Sequence, residues 1–181
     1  MKQAFINGGK VLLRGIERED LTNLMQWMND SDVTHFLFMG DRPVHLEQLT
    51  EQYQKQINAS DEVSLAIVEK KKNKIIGWCG LYRINWISRH GEYRVFIGEK
   101  RYWNKGIGSE IAKLLTGYGF EKLNLNKIWL GVNSSHKGAS CSYKKAGFIK
   151  EGLLRQEIYR NGQYYDAVRM SILRKEYNPK I

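Results

Sequence analysis

Proline is almost absent from this 181-residue sequence: only Pro43 and Pro179 occur, so no proline-rich linker divides the chain. Cysteine is as scarce. Cys79 and Cys141 form no C-x-x-C pair, which excludes a zinc knuckle and a thioredoxin-type motif. No apolar run approaches the ~20 residues that a bilayer span needs. The start, MKQAFINGGKVLLRGIERED, has no stretch long enough for a secretory signal. Two buried free thiols in a reducing cytosol are therefore expected. The histidines, His35, His45, His90 and His136, lack metal-ligand spacing, so no metal is expected. Internal repeats and low-complexity tracts are missing as well. These absences predict one cytoplasmic domain over residues 1–181, with a core of about 10–176 and no membrane partner.

What is present is ordinary for a globular chain: 42% hydrophobic and 27% charged residues. The length fits one domain at about 100–200 residues each. Lysine and arginine number 29 against 19 acidic residues, giving a net charge of +10. That excess invites a phosphate-rich partner: nucleic acid, an acidic membrane face or a phosphorylated cofactor. A nucleic-acid module would line one face with aromatics between basic residues. Here the basic residues are dispersed over turns and helix faces, so nucleic acid is not the expected partner.

Periodicity then gives the elements. Lys10–Ile16 reads as a first strand. Leu21, Leu24, Met25 and Met28 recur at helix spacing, residues 31–44 read as an aromatic-rich loop, and Leu46, Leu49, Tyr53 and Ile57 mark a second helix. Val63–Val68 and Ile75–Ile84 form a hairpin around a lysine-rich turn, followed by an extended run from Gly91 to Gly98. Ile107, Ile111, Leu114, Leu115 and Tyr118 then make one apolar stripe, so a helix is expected over Gly106–Leu123. Lys127–Val132 is a strand and Ser135–Ala146 a helix. Asn161-Gly162 closes a final hairpin between Ile149–Tyr159 and Tyr164–Leu173. The fold class is α/β (α+β), with about seven strands, mostly antiparallel, and about four helices.

One segment carries chemistry. Val95-Phe-Ile-Gly98 runs into Glu99-Lys-Arg-Tyr-Trp-Asn-Lys-Gly-Ile-Gly108, a strand and basic loop opening a helix on two glycines. The first turn of a helix leaves N–H groups unpaired, and its dipole adds about half a positive charge there. Glycine lets a diphosphate approach that backbone closely. Lys100, Arg101 and Lys105 add positive field. The segment is not G-x-x-x-x-G-K-[ST]. Nor is it a dinucleotide fingerprint, since Ile111 stands where the third glycine would.

Trp103-Asn-Lys-Gly106-Ile-Gly108 resembles the [QR]-x-x-G-x-[GA] signature of the GNAT superfamily of acetyl-CoA-dependent N-acetyltransferases, with Trp103 at the leading position. His136-Lys-Gly-Ala139-Ser-Cys-Ser-Tyr143-Lys-Lys145-Ala-Gly147-Phe148 resembles a second family block, with His136 in place of Asn and Asn133 three residues earlier. Glu151–Arg155, Asn161-Gly162 and Asp166–Met170 look like the branch that includes ribosomal-protein alanine N-acetyltransferases. Trp27–Ser31 through Gly40–Pro43 also resembles aminoglycoside 6′-acetyltransferases.

The resemblance implies a GNAT-like fold whose fourth and fifth strands splay apart. It implies acetyl-CoA as co-substrate, no metal, and direct attack by a primary amine in a ternary complex, on a monomer or homodimer. The cofactor residues it implies are Val95, Phe96, Ile97, Arg101, Lys105, Gly106, Ile107, Gly108, Ser109, Asn133 and His136. His35, Phe36, Phe38 and Trp86 would line the acceptor pocket.

The attacking amine must be neutral. At pH 7 a lysine-like amine is neutral in about 1 molecule in 2,500, a cost of ~4.6 kcal/mol, whereas an α-amine costs only ~1. Glu92 is the candidate base, acting directly or through water; its other reading is an ion pair with Arg94. Tyr143 is the candidate acid for the departing thiolate, by the motif it matches. The acceptor is expected to be a protein N-terminus or a small amine. A polyamine, amino sugar or aminoglycoside is the alternative, the last requiring Asp30, Asp32, Asp41 and Glu47 to cluster. Outside catalysis stand a CoA-binding regulator and a basic nucleic-acid module.

Overall fold

A computed structural model describes residues 3–178; the outermost positions of the expected 1–181 domain lie outside it. Its strands are β1 (Ile6–Asn7), β2 (Val11–Gly15), β3 (Val63–Glu69), β4 (Lys74–Asn85), β5 (His90–Ile97), β6 (Lys127–Asn133), β7 (Ile149–Arg160) and β8 (Gln163–Leu173). They form one open sheet in the order β1-β2-β3-β4-β5-β6-β8-β7. Every neighbouring pair is antiparallel except β5–β6, which is parallel. The helices are α1 (Leu21–Met28), α2 (Ser31–Thr34), α3 (Leu46–Ile57), α4 (Ile107–Glu121) and α5 (Lys137–Lys145).

This is the expected mixed α/β fold with two additions. The eighth strand, β1, is two residues long and pairs with Leu12 and Leu13, too short to show a period of two. The fifth helix, α2, is a single turn inside the segment read as loop. The Asp30 carboxylate caps it, accepting from the N–H groups of Asp32 and Val33. The last hairpin turns as expected, with Asn161 and Gly162 both at positive φ (48° and 80°).

The sheet packs on both faces. Along α4, Ile107, Ile111 and Leu115 bury one stripe against Leu13, Ile67, Leu81, Ile128 and Leu130. Each such aliphatic side chain contributes about 1.5–3 kcal/mol relative to exposure. Leu114 and Tyr118, placed on that stripe from the sequence, flank it half-buried. On the opposite face α1 and α3 pack Leu21, Leu24, Trp27 and Leu49 onto Ala66, Ile75 and Phe96.

At the α1 edge lies a buried ion pair. Arg14 donates to both oxygens of Asp20 at 2.6 and 2.9 Å, and Asp20 also accepts from the Glu17 N–H at 2.9 Å. Both cysteines are free. Cys79 is buried, which pushes its thiol well up, whereas Cys141 is exposed on α5, so only one of the two expected buried thiols is found.

β4 and β5 approach closely at Gly77. A Cβ there would lie 1.9 Å from the Phe96 carbonyl oxygen, a backbone atom that cannot swing away. Gly77→Ala is expected to lower the melting temperature by several degrees, consistent with ~1–3 kcal/mol for overpacking. An unchanged melting curve would show that the strands separate freely there.

Candidate active site

β5 leads through Lys100–Tyr102 to Gly106, whose φ of 78° is left-handed and suits glycine. The first intrahelical bond of α4 runs from the Glu110 N–H to the Gly106 carbonyl at 3.1 Å. The N–H groups of Ile107, Gly108 and Ser109 therefore have no acceptor within the helix. Gly108 faces α5: a Cβ there would meet Ser142 at 3.5 Å. The helix start is fastened to β2, because Glu110 accepts from the Lys10 and Val11 N–H groups at 2.9 and 3.3 Å.

Lys10 was not singled out in the sequence, yet its ammonium donates to the Lys105 carbonyl at 2.7 Å, beside Gly106. It lies 95 residues from that loop, and no local pattern links them. Lys105 lies 5.8 Å above the Tyr102 ring. Arg101, expected to face the cofactor, is instead paired with Glu99 at 2.9 Å and stacked on Tyr102.

The sheet opens beside this turn. β5 pairs with β6 only at His90–Lys127, Gly91–Ile128 and Glu92–Trp129. Beyond Glu92 the two strands part, while β6 continues along β8 to Asn133. These are the fourth and fifth strands of the sequence reading, renumbered by the added β1.

Which groups face the gap follows from register. The Gly98 N–H donates to the Ile76 carbonyl at 2.9 Å, and Ile97 stands opposite Gly77. Ile97 and Gly77 are thus a non-hydrogen-bonded pair, and pairs alternate along an antiparallel ladder. So Val95 and Ile97 turn their main-chain groups toward the opening, and Phe96 turns its own toward Trp78 in β4. The Trp103 indole N–H already occupies the Ile97 carbonyl at 2.8 Å. Phe96 also buries its ring with Trp27 and Trp78 under α1, so neither its main chain nor its side chain reaches the gap, contrary to the sequence expectation.

On the α4 face of the opening stands Tyr143 of α5. Its ring meets Tyr93 edge-on at 5.8 Å, and burial pushes its hydroxyl up to about 12. It is therefore a protonated phenol at neutral pH. Asn133 is 2% exposed, and its carbonyl oxygen accepts from the Ser135 N–H and hydroxyl, shaping the turn into α5. His136 caps α5 and stacks on Phe36 at 4.2 Å; burial, and then His35, hold its imidazole below the usual value.

That stack joins the expected acceptor loop to the expected cofactor helix. Arg160, at the tip of the β7–β8 hairpin, ties the same loop by donating to the Thr34 carbonyl at 2.7 Å. Phe38 is exposed, with its ring tip near Gly131 of β6. Trp86 is not brought in: it sits on the β4–β5 turn, its indole N–H bound to the Ser60 carbonyl at 3.0 Å.

Glu92 occupies the last paired position, on the face opposite Tyr93. Its Oε2 lies 2.7 Å from Arg94 and 3.6 Å from Arg83, and Arg94 in turn lies over the Tyr82 ring. Taking a proton there would break an ion pair. Asp30 and Asp32 do converge, but on the Lys100 ammonium at 2.9 and 2.6 Å, which holds the Asp30 carboxyl below its ordinary value. Asp41 is exposed beside Arg42. Among the described residues no group of three or more His, Cys, Asp or Glu could hold a metal, and no helix is long and apolar enough to cross a membrane.

A three-amide helix start beside a parted strand pair fits a diphosphate carrier whose arm completes the sheet. The acetyltransferase (GNAT) domain family matches residues 10–149, over half of the chain. The chain belongs to the GNAT acetyltransferase family. It is 35% identical over 167 residues to spermidine N(1)-acetyltransferase of Escherichia coli K12, covering 92% of this chain and 88% of that protein. The solved structure of Vibrio cholerae spermidine N-acetyltransferase with CoA and spermine superposes with a TM-score of 0.85 at 30% identity, covering 92% of this chain and 97% of that one. A Bacillus subtilis protein provisionally named a ribosomal N-acetyltransferase is 22% identical over 173 residues, so the ribosomal branch is not the one these similarities favour. This GNAT acetyltransferase is an acyltransferase enzyme that uses acetyl-CoA as co-substrate.

Proposed function

We propose that this acetyltransferase acylates a primary amine of a polyamine of the spermidine or spermine type. The observation that carries the reading is the likeness to spermidine N-acetyltransferases along nearly the whole chain, one of them holding spermine beside CoA.

In this reading the unpaired amides of Ile107, Gly108 and Ser109 hold the pyrophosphate, with Lys10 and Lys105 beside them. The pantetheine arm lies along Val95 and Ile97 as an added strand. The Val95 N–H stabilises the oxyanion formed when the amine nitrogen attacks the thioester carbon. The C–S bond then breaks and Tyr143 gives its proton to the departing sulfur. The surplus amine proton passes to water, and Glu92 keeps Arg94 in place.

The test is thiol release from acetyl-CoA across spermidine, spermine, ribosomal N-terminal peptides, amino sugars and aminoglycosides. A kcat/KM for spermidine or spermine at least about a hundredfold above any peptide is expected; a peptide that outpaces both polyamines overturns the reading. With spermidine, kcat/KM should rise about tenfold per pH unit between pH 7 and 9, because only the neutral amine attacks and its fraction grows as pH approaches ~10.4. Glu92→Gln should lower kcat less than tenfold. A general base would cost about 10²–10⁴-fold, so a loss of that size would return Glu92 to the role of base.

A further inference from the structure

The Tyr93 hydroxyl is anomalous. Tyr93 is 2% exposed and its phenolic oxygen is buried with no hydrogen-bond partner. Buried polar groups are nearly always paired, and phenylalanine would fill this space without the penalty. The ring is fixed on three sides: Leu81 lies opposite in β4, Phe148 packs at 5.9 Å, and Tyr143 stands edge-on at 5.8 Å.

Its place in the sheet explains the anomaly. Tyr93 is the first residue of β5 beyond the last pair with β6, and so marks the apex of the opening. It stands four positions before Ile97, about 13 Å at ~3.3 Å per residue. An arm that enters near Ile97 and runs inward past Val95 thus carries its reactive end toward Tyr93 and Tyr143. The side chain lies on the α4 face with Tyr143, whereas its neighbours Glu92 and Arg94 point to the other face.

We infer that Tyr93 is a positioning residue whose hydroxyl donates a hydrogen bond to the Tyr143 oxygen while Tyr143 gives its proton to the departing CoA sulfur. Tyr93 keeps its own proton. The C–S electron pair goes to sulfur, the Tyr143 proton follows it, and the phenolate left on Tyr143 is stabilised by the Tyr93 O–H until solvent reprotonates it. The hydroxyl is therefore unpaired at rest and paired during the step it serves. The inference rests on Tyr143 as the acid.

The experiment is a double-mutant cycle with Tyr93→Phe and Tyr143→Phe, using acetyl-CoA and spermidine. Tyr93→Phe should lower kcat about tenfold, the worth of one hydrogen bond to a charged group. KM for both substrates should stay within about twofold of the parent, since no ground-state contact is removed. The ligand-free variant should melt at the same temperature or about 2–4 °C higher, because a buried unpaired group is lost. That melting curve is also the control for folding.

In the Tyr143→Phe background, Tyr93→Phe should change kcat less than twofold. An unchanged kcat in the single variant overturns the inference. So does an equal loss in both backgrounds, which would make Tyr93 independent of Tyr143. If Tyr143→Phe alone leaves kcat intact, the acid assignment falls first, and Tyr93 falls with it.

Discussion

Tyr143→Phe is expected to lower kcat by about 10²–10⁴-fold, the usual contribution of a placed acid, with little change in acetyl-CoA affinity. The variant keeps the ring that packs on Tyr93 and Phe148, so the fold should survive. What it loses, in the proposed mechanism, is a proton for a leaving group. A CoA thiol titrates near ~8.5, so unassisted departure as thiolate is slow but not forbidden, which sets a floor under the residual rate. Steady-state thiol release and a binding isotherm separate the two quantities. Tight binding with lost turnover supports the acid; equal losses in both would make Tyr143 a wall of the site.

The second large effect concerns stability. Asp20→Ala leaves the Arg14 guanidinium facing an empty space, with side-chain exposures of 9% for Arg14 and 6% for Asp20 in the intact pair. Removing one partner of such a pair costs about 3–5 kcal/mol, because the remaining charge stays desolvated. For a chain of this length that is a fall of roughly 6–20 °C in melting temperature. Replacing both residues by Met and Leu should recover most of the loss, since the charge goes with its partner. A melting temperature within 2 °C of the parent after Asp20→Ala would mean that water reaches Arg14.

Much of this architecture was legible in the sequence because its elements are long and periodic. The α4 stripe and the Asn161-Gly162 hairpin came out with boundaries shifted by a residue or two. The glycine pair at the start of α4 marks the turn proposed to hold the pyrophosphate, since that signal is local: a strand, a turn and unpaired amides within a dozen residues. Nonlocal features were out of reach. Lys10 belongs to the turn only because β2 lies under α4. Tyr93 matters only because β6 leaves β5 at that point, and no property of its sequence neighbours says so. The resemblance implies Val95, Phe96 and Ile97 alike as cofactor residues because it carries no parity; only the register shows that every second residue turns away. Glu92 and Arg94 lie two apart on one strand face, so their pairing is one of the two readings the sequence leaves open for Glu92, but the second guanidinium, Arg83, comes from across the hairpin. Trp86 is placed with the acceptor loops by the family resemblance alone, and its indole is engaged by the Ser60 carbonyl instead.

The three backbone pairs between β5 and β6 have a consequence for the protein in the cell. Strands β1–β5 and β6–β8 are two leaves that share little main-chain bonding, and in the proposed binding mode the arm of acetyl-CoA is the stitch across the seam. A ligand that binds only the assembled form adds RT ln(1 + [L]/Kd), about 2.7 kcal/mol at a hundredfold excess over Kd. Resistance to proteolysis is then expected to rise with the concentration of either CoA or acetyl-CoA, since both carry the arm.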